Sequence, residues 1–269
     1  MTAIWVDGRP DDGLPADDRG LAFGHGVFET MPVIFAAIPH WEKHWRRLWK
    51  GCRRLGIAPP EERLLRDELK LAVEGQERAV LKLIVTAGSS HSGYSLPLET
   101  IPRRIVIRRP WPIREIPPDG IRLRWCDTRL PIDPMLAGIK HLNRLHSVMA
   151  RAEWGDEVDE GLMLDQEGFV VEGTMSNVFW IEGATLVTPD LRYCGVAGVM
   201  RERIFEWAGS HRVEVCQTRS KPARLLAADG VFVCNSLIGI WPVERIGTQR
   251  FAHAGLTKRL LDAMAEGKC

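Results

Sequence analysis

The sequence lacks any run that approaches the roughly 20 apolar residues of a membrane-spanning helix, and its first residues, MTAIWVDGRPDD, lack the basic and apolar regions of a secretory signal. It also lacks an excess of either charge, because 36 Lys and Arg accompany 35 Asp and Glu, which leaves a net charge of +1. Such a balance creates no general field that would attract nucleic acid or an anionic membrane. We therefore expect a cytoplasmic protein that binds neither nucleic acid nor membrane and that captures any anion locally.

Cysteine is scarce, and its six residues show no CxxC spacing. The sequence therefore predicts neither a metal site nor a disulfide framework, and reduced thiols are expected. What the chain does have is length and apolar content, with 269 residues of which 45% are hydrophobic. A chain of this size can bury a large core, and it divides into two lobes more readily than it forms one small domain.

Prolines mark the predicted boundary between the two lobes. The stretch PWPIREIPPDG, residues 110–120, contains four prolines and is the strongest linker signal in the sequence. We predict a small N-terminal α/β lobe at 1–110, a linker at 111–120 and a larger lobe of mixed strands and helices at 121–269. Strands and helices follow one another without regular βαβ alternation, so the predicted fold class is α+β.

Helical periodicity is clear in three stretches. The first runs from about Trp41 and stops at Gly56, and the second, PPEERLLRDELKLAVEG, opens with proline and acids and ends on glycine, as capping preferences favour. The third follows Lys140 and is predicted to present an apolar stripe. That stripe consists of Leu142, Leu145, Met149 and Ala152. Because the first helix is basic, a cofactor-free protein that binds nucleic acid through it is an alternative from another functional class, although the net charge of +1 counts against it.

Lys140 is the first candidate for chemistry. A lysine outside a helix is usually solvated, so its residue type alone carries little weight. The preceding MLAGI is apolar, however, and such a setting disfavours the charged form of the amine, which is what an imine-forming lysine needs. A lysine of this kind works with an acid that holds the ring nitrogen of a cofactor, an anion pocket for a phosphate and a hydrophobic wall.

Two other stretches could supply the acid and the anion pocket. In VVEGTMSNVFWI, Glu172 ends an apolar strand, and a plain surface-turn glutamate is the alternative interpretation. In YCGVAGVMRERIFEWAG, two glycines precede a helix whose first amides, at Val199 and Met200, would point toward a phosphate. An ordinary loop-to-helix turn is an equally good account of that second stretch.

Six stretches in the same chain order give a resemblance to a known family. They are DRGLAFGHGVFET, HWRRL, GIKHLNRL, EGTMSNVFWI, CGVAGVMRERI and VCNSLIGIWPV. Together they resemble the fold-type IV pyridoxal-phosphate enzymes, and within that family the 4-amino-4-deoxychorismate lyase branch. The resemblance implies a two-lobe fold, pyridoxal 5'-phosphate (PLP) as cofactor, pairing as a homodimer, and cleavage of a small-molecule substrate, 4-amino-4-deoxychorismate, to 4-aminobenzoate and pyruvate in folate biosynthesis.

The same resemblance implies roles for single residues. Lys140 matches the lysine that binds the cofactor covalently and then moves the substrate proton, and Glu172 matches the carboxylate that pairs with the ring nitrogen. Arg47 matches the arginine that reaches the cofactor phosphate, which suits its forked donor. Further cofactor-binding positions implied by the match are Val199, Met200, Asn235 and Ser236. Phe28 and Thr30 share one face of a strand, which the family turns toward the substrate, although core packing is an alternative for Phe28.

Other activities of the same family stay open. Branched-chain transaminases carry a tyrosine five positions after the lysine, where this chain has Leu145, and D-amino-acid transaminases do not usually show HLNR after it. Two positions depart from the lyase pattern, because Ser92 stands where an arginine is common and His25 where an aspartate is common. We expect these two departures to affect which substrate is bound more than they affect the cofactor chemistry. His141 marks the lyase branch and suits either a structural or an acid–base role.

Overall fold

A computed structural model gives the fold, and it describes residues 2–10, 13–90, 93–96, 101–112, 117, 119–252 and 255–265. The chain divides into two compact units. The first comprises Met1–Ile113 and Ile139–Asn143, and the second comprises Arg114–Gly138 and Arg144–Cys269. Ser92 and half of the predicted linker, at 113–116 and 118, lie outside the described residues.

The first unit is built on a five-stranded antiparallel sheet with the strand order β2-β1-β5-β4-β3. Its strands are β1 (Ala3–Val6), β2 (Arg9–Pro10), β3 (Gly26–Ile34), β4 (Arg78–Thr86) and β5 (Arg103–Pro110). Along β3 the side chains alternate between the two faces of the sheet, as the pleat requires. Val27, Met31 and Val33 lie in the core, whereas Phe28 and Thr30 on the other face are half-buried.

Three helices belong to the first unit: α1 (Arg19–Phe23), α2 (Trp41–Arg54) and α3 (Glu62–Val73). The apolar faces of α2 and α3 form one hydrophobic core with the sheet, through residues such as Leu48, Cys52 and Leu65. The two helices expected from periodicity therefore occur where the sequence placed them. A glycine with positive φ follows each of them, Gly56 at 67° and Gly75 at 68°, which is the backbone conformation that ends a helix most readily.

The segment that carries Lys140 is attached to β3 by backbone hydrogen bonds. The amide of Phe28 donates to the carbonyl of Lys140 over 2.9 Å, and the amide of Leu142 donates to the carbonyl of Gly26 over 3.0 Å. Because β3 is the last strand of the sheet, this segment continues the sheet beyond it. The sequence placed Lys140 in the larger lobe, whereas the structure groups 139–143 with the first unit because of this pairing.

The second unit contains a nine-stranded mixed sheet with the order β11-β10-β9-β12-β13-β6-β7-β8, and β14 pairs with β13. Its strands are β6 (Ile121–Trp125), β7 (Glu160–Leu164), β8 (Val170–Gly173), β9 (Asn177–Glu182), β10 (Thr185–Pro189), β11 (Val215–Thr218), β12 (Gly230–Asn235), β13 (Gly239–Ile246) and β14 (Gln249–Arg250). The pairs β10–β11, β6–β13 and β6–β7 are parallel, and the others are antiparallel. Two units that mix strands and helices in this way agree with the predicted α+β class.

Four helices complete the second unit: α4 (Leu145–Arg151), α5 (Val199–Ser210), α6 (Pro222–Leu226) and α7 (Gly255–Ala265). Of the four residues of the predicted apolar stripe, Leu145 and Met149 lie on α4, whereas Leu142 and Ala152 lie outside it. Leu142 precedes the helix because its amide is bonded to β3, and Leu145 and Met149 are 68% and 55% exposed. The buried residue of α4 is Ala150. Within the described part of the chain, no helix combines the length and the apolar character needed to cross a membrane.

Candidate active site

Lys140 lies beside an aromatic side chain of the first unit. Its Nζ is 4.4 Å from the centre of the Phe28 ring, a distance at which a cation is attracted to the ring face. Its neighbours Ile139 and His141 are buried, and Lys140 itself is half-buried. Phe28 thus places an aromatic surface beside Nζ of Lys140. Core packing does not account for Phe28, since it occupies the face of β3 opposite the core.

A second lysine contacts the same ring. The Nζ of Lys82, on β4, is 4.9 Å from the centre of the Phe28 ring. Burial lowers the pKa of this amine, and the neighbouring charge of Arg109 lowers it further. Sequence reasoning missed Lys82, although a single charged residue inside the apolar strand AVLKLIVTA is a signal that could have been read.

Arg47 is held by a buried carboxylate. Its Nε donates to Oε1 of Glu29 over 2.7 Å, its Nη2 donates to Oε2 over 2.5 Å, and Nδ1 of His44 lies 2.6 Å from the same Oε2. His44 and Arg47 are three residues apart on α2 and so share the face that meets β3. Burial alone would raise the pKa of Glu29, but the charge and hydrogen bonds of Arg47, with those of His44, lower it to about 2. Glu29 is therefore ionised and fixes the guanidinium of Arg47.

His25 has a structural setting in the first unit. Its Nε2 is 2.8 Å from the carbonyl of Leu55, which can only accept, so Nε2 carries the hydrogen and Nδ1 accepts from Nε of Arg19 over 3.1 Å. Arg19 is buried, and its Nη1 donates to the carbonyl of Gly93 over 2.6 Å. His25 thus accepts a hydrogen bond from Arg19 at a position where the lyase pattern commonly has an aspartate.

Glu172 lies at the end of β8 in the second unit, and only 6% of it is exposed. Its Oε2 accepts a hydrogen bond from the amide of Val196 over 2.8 Å, and Arg144 provides a nearby positive charge. The burial of Arg144 lowers its own pKa, an effect that the charge of Glu172 opposes. The alternative of an exposed turn glutamate is therefore wrong, because Glu172 is a buried carboxylate held by a main-chain donor.

Asn177 connects Glu172 to the start of α5. Its Nδ2 donates to the carbonyl of Val196 over 2.8 Å and lies 3.5 Å from Oε2 of Glu172, while its Oδ1 accepts from the amide of Gly198 over 3.1 Å. A side chain at 198 would not fit, since a Cβ there would lie 2.1 Å from Oδ1 of Asn177. Sequence reasoning missed Asn177, which stands before the first apolar residue of β9 and gave no sign of its distant partners.

Val199 and Met200 are the first two residues of α5, and their side chains are buried. The preceding Gly198 has no side chain with which to cap the helix. The positive end of the helix dipole, together with first-turn amides that have no partner within the helix, makes this position suited to an anion such as a phosphate.

Asn235 shapes the loop after β12. Its Oδ1 accepts from the amides of Leu237 and Ile238 over 2.8 and 3.0 Å, and its Nδ2 donates to the carbonyl of Met175 over 3.1 Å. Met175 belongs to the turn that follows Glu172, so the loop that carries Ser236 is tied to that turn. The structure thus brings the predicted residues of the second unit together, and Asn235 acts on the shape of the loop through its side chain.

Buried Glu160, on β7, stabilises the same turn and was also missed from the sequence. It accepts from the hydroxyl of Thr174 over 2.5 Å and from the hydroxyl of Ser176 over 3.0 Å. The turn between β8 and β9 is therefore fixed by side chains from two neighbouring strands, which explains how the small residues of EGTMSN adopt one conformation.

Comparison with known proteins identifies the family. The family described as amino-transferase class IV matches residues 26–246. This chain belongs to the class IV aminotransferase family. It is 34% identical over 264 residues to the aminodeoxychorismate lyase of Vibrio harveyi, with 96% of this chain and 97% of the relative covered. It is 31% identical over 252 residues to a putative branched-chain-amino-acid aminotransferase of Methanocaldococcus jannaschii, with 90% and 87% covered.

A solved structure shows the same architecture. The crystal structure of 4-amino-4-deoxychorismate lyase from Pseudomonas aeruginosa superimposes with a TM-score of 0.94 at 46% sequence identity, and 98% of each chain is covered. These findings confirm the predicted resemblance, the two-lobe α+β fold and the prediction of a PLP-dependent enzyme.

The donor chemistry of the described residues fits PLP. Lys140 offers an amine for the aldehyde, and Glu172 offers a buried carboxylate for the ring nitrogen. The start of α5 offers main-chain donors for the phosphate. The small residue at 198 keeps that helix start open, because a Cβ there would collide with Asn177.

Proposed function

We propose that the protein is a 4-amino-4-deoxychorismate lyase that forms 4-aminobenzoate and pyruvate. The observation that carries this proposal is the 46% identity to the Pseudomonas aeruginosa lyase over 98% of both chains. The second candidate is a class IV aminotransferase that acts on branched-chain or D-amino acids, and it is supported by the 31% identity to the Methanocaldococcus jannaschii protein. Leu145, at the position where branched-chain transaminases carry a tyrosine, favours the lyase.

The proposed chemistry assigns one proton transfer to Lys140. PLP, when bound, supplies a ring that accepts electrons from the carbon next to the substrate nitrogen. Nζ of Lys140 binds the cofactor and then, as a base, removes the proton from the carbon that bears the substrate amino group. Phe28 lies beside Nζ and the residues on either side of Lys140 are buried, so water reaches the amine from fewer directions.

Glu172 is proposed to hold a proton on the ring nitrogen of PLP. Because its carboxylate is buried and accepts from the amide of Val196, it has a fixed orientation and a strong preference for a cationic partner. The reaction then balances without an added reactant. The bond between the ring carbon and the enolpyruvyl oxygen breaks, and the carbocycle becomes aromatic. The proton removed by Lys140 balances the proton that converts the released enolpyruvate to pyruvate.

The activity is tested by giving the PLP-loaded protein 4-amino-4-deoxychorismate and measuring 4-aminobenzoate and pyruvate together. We expect the two products in equal amounts, because one bond cleavage releases both. A parallel sample with D-alanine or L-leucine monitors the cofactor spectrum for conversion to the amine form. A spectral change with an amino acid, without product from 4-amino-4-deoxychorismate, would establish the aminotransferase and overturn the lyase.

Replacing Glu172 with glutamine is expected to keep PLP binding and to lower kcat by about 10²-fold, because the amide retains the shape but loses the charge that holds the ring proton. Stopped-flow measurements check the expected fall in kcat, and the PLP content per chain checks that binding of the cofactor is retained. Glu182→Gln is the matched control, since Glu182 pairs with Arg224 at the surface of the same unit. Equal kcat values for wild type and Glu172→Gln would remove Glu172 from this role.

The cellular location, the assembly and the pathway of the enzyme are proposed from its family. We infer that it acts as a cytoplasmic homodimer in folate biosynthesis. Leu145, Val148 and Met149 form an exposed apolar face on α4, which supports an interface between copies. Light scattering coupled to size exclusion measures the assembly, and a mass equal to one chain at micromolar concentration would contradict the dimer.

A further inference from the structure

Lys82 lies in the middle of β4, the strand between β3 and β5. Its register partner on β3 is Thr30. Because opposite residues of an antiparallel pair project to the same face of the sheet, Lys82 shares a face with Thr30 and Phe28. Glu29 and Met31 project to the other face, where the core lies. Lys82 therefore belongs to the sheet face that also carries the contact with Lys140.

Among the described residues, no carboxylate neutralises the charge of Lys82. In the described part of the chain, neither Lys82 nor Arg109 forms an ion pair with a carboxylate, and Arg109 adds a second positive charge next to Lys82. The contact with the Phe28 ring, at 4.9 Å, offsets only part of the cost of a half-buried ammonium. The residues of β4 on either side of Lys82 are apolar, AVL before it and LIV after it. A leucine or valine at position 82 would therefore pack at least as well as the lysine does.

A positive charge kept at such a position suits an anionic ligand. The whole protein has a net charge of +1 and so does not attract anions from a distance, which leaves the task to local cations. 4-Amino-4-deoxychorismate has two carboxylates, one on the ring and one on the enolpyruvyl group. Each gains most from a cation that is already partly desolvated, because the interaction between charges strengthens as water is removed.

We propose that Lys82 binds a carboxylate of the substrate and so determines substrate affinity, an inference that rests on the proposed lyase function. Lys82 holds the anion on the same side of the sheet as Phe28 and Thr30, and Arg109 reinforces the positive potential there. The amine of Lys140 is close to the same ring, so a carboxylate on Lys82 is bound near Nζ of Lys140.

The test compares Lys82→Gln with Lys82→Arg, and Lys70→Gln serves as the control because Lys70 is an exposed lysine of the same unit. We expect Lys82→Gln to raise KM for 4-amino-4-deoxychorismate at least about 10-fold with kcat within about twofold of wild type, since the lost contact is a binding contact. Lys82→Arg should restore most of the affinity, because arginine also binds carboxylates. Lys70→Gln should match wild type in both constants.

Product inhibition identifies which carboxylate is bound and supplies a binding readout. 4-Aminobenzoate retains the ring carboxylate and pyruvate retains the other, so Lys82→Gln should weaken inhibition by one of them. An unchanged KM with both inhibition constants unchanged overturns the proposal. A lower kcat with an unchanged KM also overturns it and makes Lys82 a residue that acts on Lys140. If wild type forms no product, the lyase function itself fails, and equal binding of both 4-aminobenzoate and pyruvate to wild type and Lys82→Gln then rejects Lys82 separately.

Discussion

Replacing Lys140 with alanine is expected to lower kcat for product formation by about 10⁴-fold or more, because the proposed function gives one side chain both the covalent attachment of PLP and the role of base. The position of Lys140 supports this expectation. Its main chain is bonded to β3, and its amine lies 4.4 Å from the centre of the Phe28 ring, so the backbone places the amine beside an aromatic surface. Steady-state assays at saturating PLP measure the loss.

Two further variants test whether the loss of activity is specific to the amine of Lys140. Lys140→Arg keeps a cation against Phe28 but cannot lose its proton near neutral pH, so it should be as inactive as the alanine variant. Lys50→Ala removes an exposed lysine from α2 and should leave kcat unchanged. After borohydride reduction, mass spectrometry should find PLP on the peptide that contains Lys140 in wild type and on no peptide of Lys140→Ala. Near-normal turnover by Lys140→Ala would exclude the assigned mechanism.

Replacing Glu29 with glutamine is expected to reduce the free energy of unfolding by about 3–5 kcal/mol, the usual cost of leaving a buried charge without its partner. Glu29 is only 1% exposed and receives Arg47 through two hydrogen bonds and His44 through a third contact. The variant would leave the guanidinium of Arg47 in the same place with no counter-charge. Urea unfolding followed by tryptophan fluorescence measures the change. Since Arg47 is expected on the cofactor phosphate, the Kd for PLP should also rise.

The dependence of this effect on pH has a definite sign. The pKa of Glu29 is lowered in the folded protein from its ordinary value of 4.5 to about 2. Its carboxylate therefore stabilises the fold fully above pH 4.5, and the stabilisation disappears as the pH falls through the folded value near 2. The stability difference between wild type and Glu29→Gln should be constant at neutral pH and should shrink only in acid.

Glu42→Gln is the control for Glu29. Glu42 is an exposed acid on α2 that pairs with Arg66, and an exposed pair is worth at most about 1 kcal/mol. A loss for Glu29→Gln no larger than that for Glu42→Gln would show that the Glu29, Arg47 and His44 cluster adds nothing to stability.

Features that depend on short stretches of chain were predictable from the sequence. The start of α2 at Trp41 follows from periodicity, and the helix that begins at Val199 follows from the glycines before it. The candidate residues Lys140 and Glu172 were found because motifs are local in sequence. By contrast, the short strand β10, TLVTP, was not predicted, because five residues that end in proline show little alternation of apolar and polar side chains.

Features that depend on partners distant in the chain were not predictable. Nothing near Asn177 in sequence indicates that its side chain meets Val196 and Gly198. Likewise, the charge of Glu29 suggests that it belongs outside the core, although the alternation of β3 places it on the core face, and only the approach of Arg47 and His44 makes its burial possible. The exposure of Leu145 and Met149 on α4 was not predictable either, because periodicity shows that residues share a face and not what covers it.

The pairing of 139–143 with β3 has a consequence for the order of events during synthesis. Strand β3 leaves the ribosome more than a hundred residues before Lys140 does, so its outer edge has no partner while the rest of the first unit can already fold. An unpaired edge strand is a place where another chain can add. The segment that carries Lys140 is therefore also the one that pairs with the edge of the sheet, and a nascent chain halted before it would lack this lysine and be prone to self-association.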